Sequence, residues 1–106
     1  MNAPDARIEN LEKLLAKGPD SPLLRFSLGN AYLAGDPTKA AEHFKSALAL
    51  DPSYVAAWKL LGQALVACGN PEEAKAVYSE GIVTAEVSGQ VQAAKEMRVF
   101  LKRLLR

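Results

Sequence analysis

The chain repeats itself. Leu28-Gly29-x-x-Tyr32 returns as Leu61-Gly62-x-x-Leu65, 33 residues later. Gly35-Asp36-Pro37-Thr38-Lys39-Ala40 returns as Gly69-Asn70-Pro71-Glu72-Glu73-Ala74, 34 residues later. Phe44 answers to Tyr78, and Ala47 to Gly81. A period of this length holds one supersecondary unit per copy. So small a unit cannot bury its own apolar face. Copies must stack on one another, and the ends of the stack need covering.

Within each period the apolar spacing is helical. Leu24, Leu28, Ala31 and Tyr32 share a face, as do Ala40, Phe44, Ala47 and Leu48. Trp58, Leu61, Leu65 and Cys68 follow, then Ala74, Tyr78 and Ile82. Ile8, Leu11, Leu14 and Leu15 precede the repeats, and Val91, Ala94, Met97, Leu101 and Leu104 come after them. Gly18, Gly35, Gly69 and Gly89 stand where helices need a left-handed residue to stop. Ser21-Pro22, Asp36-Pro37 and Asn70-Pro71 pair a capping side chain with a proline at the first helical position. The marks predict six helices over about 4–17, 21–34, 37–50, 54–68, 71–87 and 90–105. Short linkers make neighbouring helices antiparallel. The expected architecture is an all-α solenoid of antiparallel helix hairpins, one domain over 1–106.

Composition excludes several function classes. Lys and Arg total 13 against 12 for Asp and Glu, so there is neither a strongly basic arm nor an acidic tail. One cysteine rules out an internal disulfide. The opening MNAPDARIEN lacks the basic and then apolar pattern of a signal peptide. No apolar run reaches the ~18 residues of a membrane span. A cytoplasmic location is therefore expected.

The repeated residues resemble the tetratricopeptide repeat family, whose motif is W-x2-L-G-x2-Y, then A-x3-F-x2-A-x4-P. Leu28, Gly29, Tyr32, Ala40, Phe44, Ala47 and Pro52 carry it in the first copy. Trp58, Leu61, Gly62, Leu65, Ala74, Tyr78 and Gly81 carry it in the second. Arg25 departs from it, standing at the Trp position, and Glu86 stands at the terminal Pro. Residues 4–17 fit the register of a second-helix half repeat, with Leu11 and Leu14 at the Phe and Ala positions. Residues 21–52 and 54–87 form two full repeats, and 90–105 reads as a capping helix, out of register with a third. Glycine inside a helix costs about 1 kcal/mol relative to alanine. Gly29, Gly62 and Gly81 therefore imply close packing, with Phe44, Trp58 and Tyr78 filling the space between helices.

The resemblance implies a right-handed solenoid that serves as a non-catalytic protein–protein interaction module. Its first helices line a concave groove that accepts a peptide or helix. Leu23, Phe26, Asn30 and Leu33 would face it from one helix, and Ala56, Lys59, Gln63 and Val66 from the next. One subgroup of the family clamps the C-terminal carboxylate of heat-shock chaperones with Lys and Asn residues. Asn30 fits that clamp, but Phe26 and Leu60 replace a Lys and an Asn, so chaperone-tail binding is not expected.

The rival reading is a structural homo-oligomer or complex subunit. It would use the last helix, where Met97, Phe100 and Leu104 are candidate contacts. A monomer is favoured, with a homodimer possible. Residues 90–106 hold five cations and one carboxylate, a local +4 that leaves −3 for the rest. No aromatic interleaves them as a stacking platform for bases would need. Neither nucleic acid nor membrane is expected as partner. Cys68 and His43 are the sole thiol and imidazole, expected respectively as a small buried hydrophobe and a solvent-facing ring. They offer no catalytic pair, and no metal ligand cluster or phosphate loop is present. No cofactor is expected.

Overall fold

Proline opens three of the helices, and a side-chain cap joins it at two of them. The computed structural model describes residues 3–106, so Met1 and Asn2 of the expected domain lie outside the described residues. Six helices follow one another: α1 (Ala3–Lys17), α2 (Pro22–Tyr32), α3 (Pro37–Leu50), α4 (Val55–Ala67), α5 (Pro71–Val87) and α6 (Val91–Leu104). The described residues include no strand. Ser21 Oγ accepts from the Leu24 N–H at 3.0 Å, and Asp36 Oδ1 from the Lys39 N–H at 3.1 Å. These bonds satisfy backbone donors that a helix start leaves orphaned. Asn70 does not cap in this way. Its amide turns back to Cys68 Sγ at 3.6 Å.

The helix ends divide into two kinds. Gly69 and Gly89 take positive φ, +84° and +76°. Behind Gly69, Asn70 N–H donates to Leu65 O at 2.7 Å, and Gly69 N–H to Val66 O at 3.1 Å. Gln90 and Gly89 repeat the pattern on Ala85 and Glu86. Both are Schellman ends. Gly18 and Gly35, expected to be left-handed, are not. The first repeat has one residue fewer between its motif glycine and the next proline, Gly29 to Pro37 against Gly62 to Pro71. There Gly35 and Asp36 both donate to Tyr32 O, at 3.0 and 2.7 Å, and end α2 two residues before the expected 34 without a positive φ.

The helices pack as neighbours in sequence, with α6 also touching α4, in a body of 39 × 27 × 19 Å. Phe44 and Tyr78 are the largest fully buried side chains. Each ring occupies the space that a helical glycine leaves open. A Cβ on Gly29 would fall 2.5 Å from the Phe44 ring, and one on Gly62 would overlap the Tyr78 ring. A Cβ on Gly81 would meet Met97 Sδ at 2.6 Å and Trp58 Cβ at 2.8 Å. Met97 thus does on α6 what the two rings do on α3 and α5. Trp58 differs from the expected core ring. It is half-buried, and its indole N–H donates to Pro52 O at 2.8 Å, pinning the loop before α4.

Arg25 performs a similar task at the motif's missing Trp. Its Nε lies 2.9 Å from both carboxylate oxygens of Asp20, which fixes the loop before α2. Leu14, expected on the packed face of α1, is 58% exposed. Among the described residues α2 is the helix that packs on α1, and Leu14 lies at the edge of that contact.

Candidate functional site

Geometry joins residues that sequence reasoning had assigned to two different surfaces. Gln63 and Val66 on the last turns of α4 meet Phe100, Arg103 and Leu104 on the last turns of α6. Tyr78 of α5 completes a pocket of about 250 Å³. It arises because α4 and α6 both pack on α5, while Lys59 of α4 pairs with Glu96 of α6 at 3.1 Å. The two helices diverge around the Tyr78 ring, which tilts against Phe100 at 5.7 Å between centroids. Arg103 lies 5.9 Å from the Phe100 ring centroid, within cation–π range. Burial pushes the Tyr78 hydroxyl up to about 12, so it stays protonated near neutral pH.

The other expected groove residues go elsewhere. Leu23, 65% exposed, lines a separate cavity of about 390 Å³ with Leu14, Pro19 and Leu24 beside α1. Phe26 is half-buried. It stacks on Tyr54 at 4.9 Å and tilts against Phe44 at 5.7 Å, so it joins two repeats. Leu33 is half-buried against the core, while Asn30 and Ala56 are exposed. Lys59 is committed to Glu96.

Of the three residues expected at an oligomer contact, Met97 is fully buried against Gly81 and presents no surface. Phe100 and Leu104 are half-buried pocket walls. Arg103 and Tyr78 were missed as pocket residues. Arg103 follows Phe100 by three, which places both on one side of a helix.

His43 does not face open solvent as expected. Its ring stacks on Tyr32 at 5.6 Å with 7° between planes. Arg25 Nη1 approaches His43 Nδ1 at 3.2 Å, and Tyr32 donates its hydroxyl to Glu12 Oε2 at 3.1 Å. The arginine has only donors, so the histidine nitrogen accepts and the proton sits on Nε2. Burial holds the imidazole below its ordinary pKa, with Arg25 and Lys39 adding to the effect and Glu12 and Glu42 opposing it. This cluster ties α1, α2 and α3 together. Cys68 Sγ bonds Leu65 O at 3.6 Å within α4 itself. Among the described residues no group of three or more His, Cys, Asp or Glu is placed to hold a metal ion. No helix among them is long and apolar enough to cross a membrane.

Comparison with known proteins agrees with this geometry. Residues 31–97 match the tetratricopeptide repeat family. The chain is 52% identical over 98 residues to the TPR repeat-containing protein PA0015 of Pseudomonas aeruginosa, covering 92% of this chain and 93% of that one. The solution structure of protein BPP2914 from Bordetella parapertussis superposes with a TM-score of 0.84 at 40% identity, over 100% of this chain and 90% of its own. A crystal structure of MamA shares the fold with a TM-score of 0.71 at 22% identity, over 96% of this chain and 67% of that one. The internal repeats, the ring-on-glycine packing and these matches have one explanation: the chain belongs to the tetratricopeptide repeat family.

Proposed function

We propose that the protein is a non-catalytic interaction module that seats a peptide or helix of another protein in the groove along α2, α4 and α6. Tetratricopeptide repeat proteins are in general protein-binding scaffolds, which supports a partner that is itself a protein. The observation that carries it is the pocket between α4 and α6. It has apolar walls from Val66, Phe100 and Leu104 beside the amide of Gln63, which both donates and accepts hydrogen bonds. A ligand running along the groove would pass Lys59 and Asn30 and reach Leu33 and Phe26. The protein acts as a monomer in this reading, because Met97 is occupied inside the fold.

The test is affinity capture from native lysate with wild type, Val66→Glu and Asn30→Ala. Val66 is 43% exposed, so its replacement leaves the core intact. Phe26→Glu would be a poor choice, since Phe26 also joins the repeats. A dominant protein captured by wild type and lost with Val66→Glu is the expected result. Equal capture by both folded variants would sink the groove assignment. A mass that rises with concentration and falls back with Phe100→Glu would favour the homo-oligomer instead.

A further inference from the structure

The α4–α6 pocket borders an unbalanced basic surface. Among the described residues, the α6 charges held in ion pairs are Glu96, with Lys59, and Arg98, with Glu86. Lys95, Lys102, Arg103 and Arg106 are exposed and carry no such pair. Lys95 and Lys102 share one stripe of the helix at a spacing of seven, with Val99 between them. Arg103 carries the charge round to the pocket rim. The negative end of one helix dipole amounts to about half an elementary charge. That cannot account for four cations, and Lys95 lies far from the last turn, where the dipole would favour it.

From this we infer that the partner is an acidic amphipathic protein segment, docked at the α4–α6 end of the groove. It places one apolar side chain in the pocket and its carboxylates on Arg103 and the neighbouring cations. The inference rests on the groove reading above and adds the chemistry of the ligand. The pocket, at about 250 Å³, is smaller than the about 300–1,000 Å³ of small-molecule sites, and suits a single side chain.

A lipid surface fits less well. An amphipathic helix binds a bilayer through its apolar face. Here that face is spent inside the fold, with Ala94 and Met97 buried and Leu101 packed on the core. Single-stranded nucleic acid needs exposed rings among the cations. The aromatic residue of α6, Phe100, instead walls the pocket.

The experiment selects binders to the whole chain from random short peptides displayed on phage. Enriched peptides are expected to be acidic with a Leu, Ile, Met or Phe among the carboxylates. Arg103→Glu with Lys102→Glu, both exposed and cheap to the fold, should weaken a selected peptide about tenfold or more, and added salt should weaken it too. Its amide perturbations should map to Gln63, Val66 and Phe100. Enriched peptides without acidic bias that still need Val66 would overturn the inference and leave the groove standing. Peptides indifferent to Val66→Glu would overturn both. Flotation with phosphatidylserine vesicles, lost on the same charge reversal, would overturn the choice of a protein segment.

Discussion

Three glycines on this chain make opposite demands. Gly62→Ala would drive a methyl into the Tyr78 ring. Overpacking of that kind costs about 1–3 kcal/mol, against about 1 kcal/mol returned by better helix propensity. Chemical denaturation should show a net loss of stability. Gly69→Ala meets no atom within 4 Å, yet should also destabilise, because its φ is +84°. Gly35→Ala, with open space and ordinary backbone, should gain about 0.4–1 kcal/mol by restricting the unfolded chain. The sequence presents Gly35 and Gly69 in the same frame, Gly-x-Pro, so their difference is invisible there. It arises from one residue of turn length. The histidine makes a second test. Its folded pKa lies below the ordinary 6.5, so the unfolded chain takes up the proton first as pH falls. Stability contributed by neutral His43 is complete above pH ~6.5 and declines below it. A thermal melt series from pH ~7.5 to ~5.5 should show this decline, and His43→Phe, which retains a ring on Tyr32, should flatten it.

Among the elements, α1 and α6 are the covers, and they differ in kind. α6 buries Met97 over Gly81, whereas α1 leaves Leu14 open, buries no side chain fully among its described residues and is hydrogen-bonded to α2 through Glu12 and Tyr32. Native-state hydrogen exchange should therefore find α1 the first helix to open and α3 to α5 the last. A chain ended at Gly89 should lose cooperative unfolding or aggregate, since Met97 no longer covers Gly81. A cut chain as stable and monomeric as the whole would refute that role. Phe44→Ala should cost about 3–5 kcal/mol, the range for a fully buried ring. Trp58→Ala should cost less, because Trp58 is half-buried. Helix positions were legible from proline caps and apolar spacing. Trp58 was not, because the motif names the residue without its depth. Pocket residues were half legible. Gln63 and Val66 follow from the register, but Arg103 needs α6 to lie beside α4, and the out-of-register α6 hides that from any repeat alignment.

The whole molecule is a line of neighbours. Each helix meets the next in sequence, and α6 on α4 is the sole reach beyond it among the contacts of substance. Such local wiring favours folding on a microsecond-to-millisecond scale, with nucleation open at several points. The repeats therefore need not wait for the chain to be finished. On a ribosome, α2 and α3 can close Phe44 onto Gly29 while α6 is still unmade. α6 is made last of the six, and with it come both Met97 and the cations beside the pocket. Until then Gly81 and the Tyr78 ring are packed on α4 but lack the cover of Met97 and Phe100. The helix that ends this exposure also walls the α4–α6 pocket, so the cover over Gly81 and the proposed site form together.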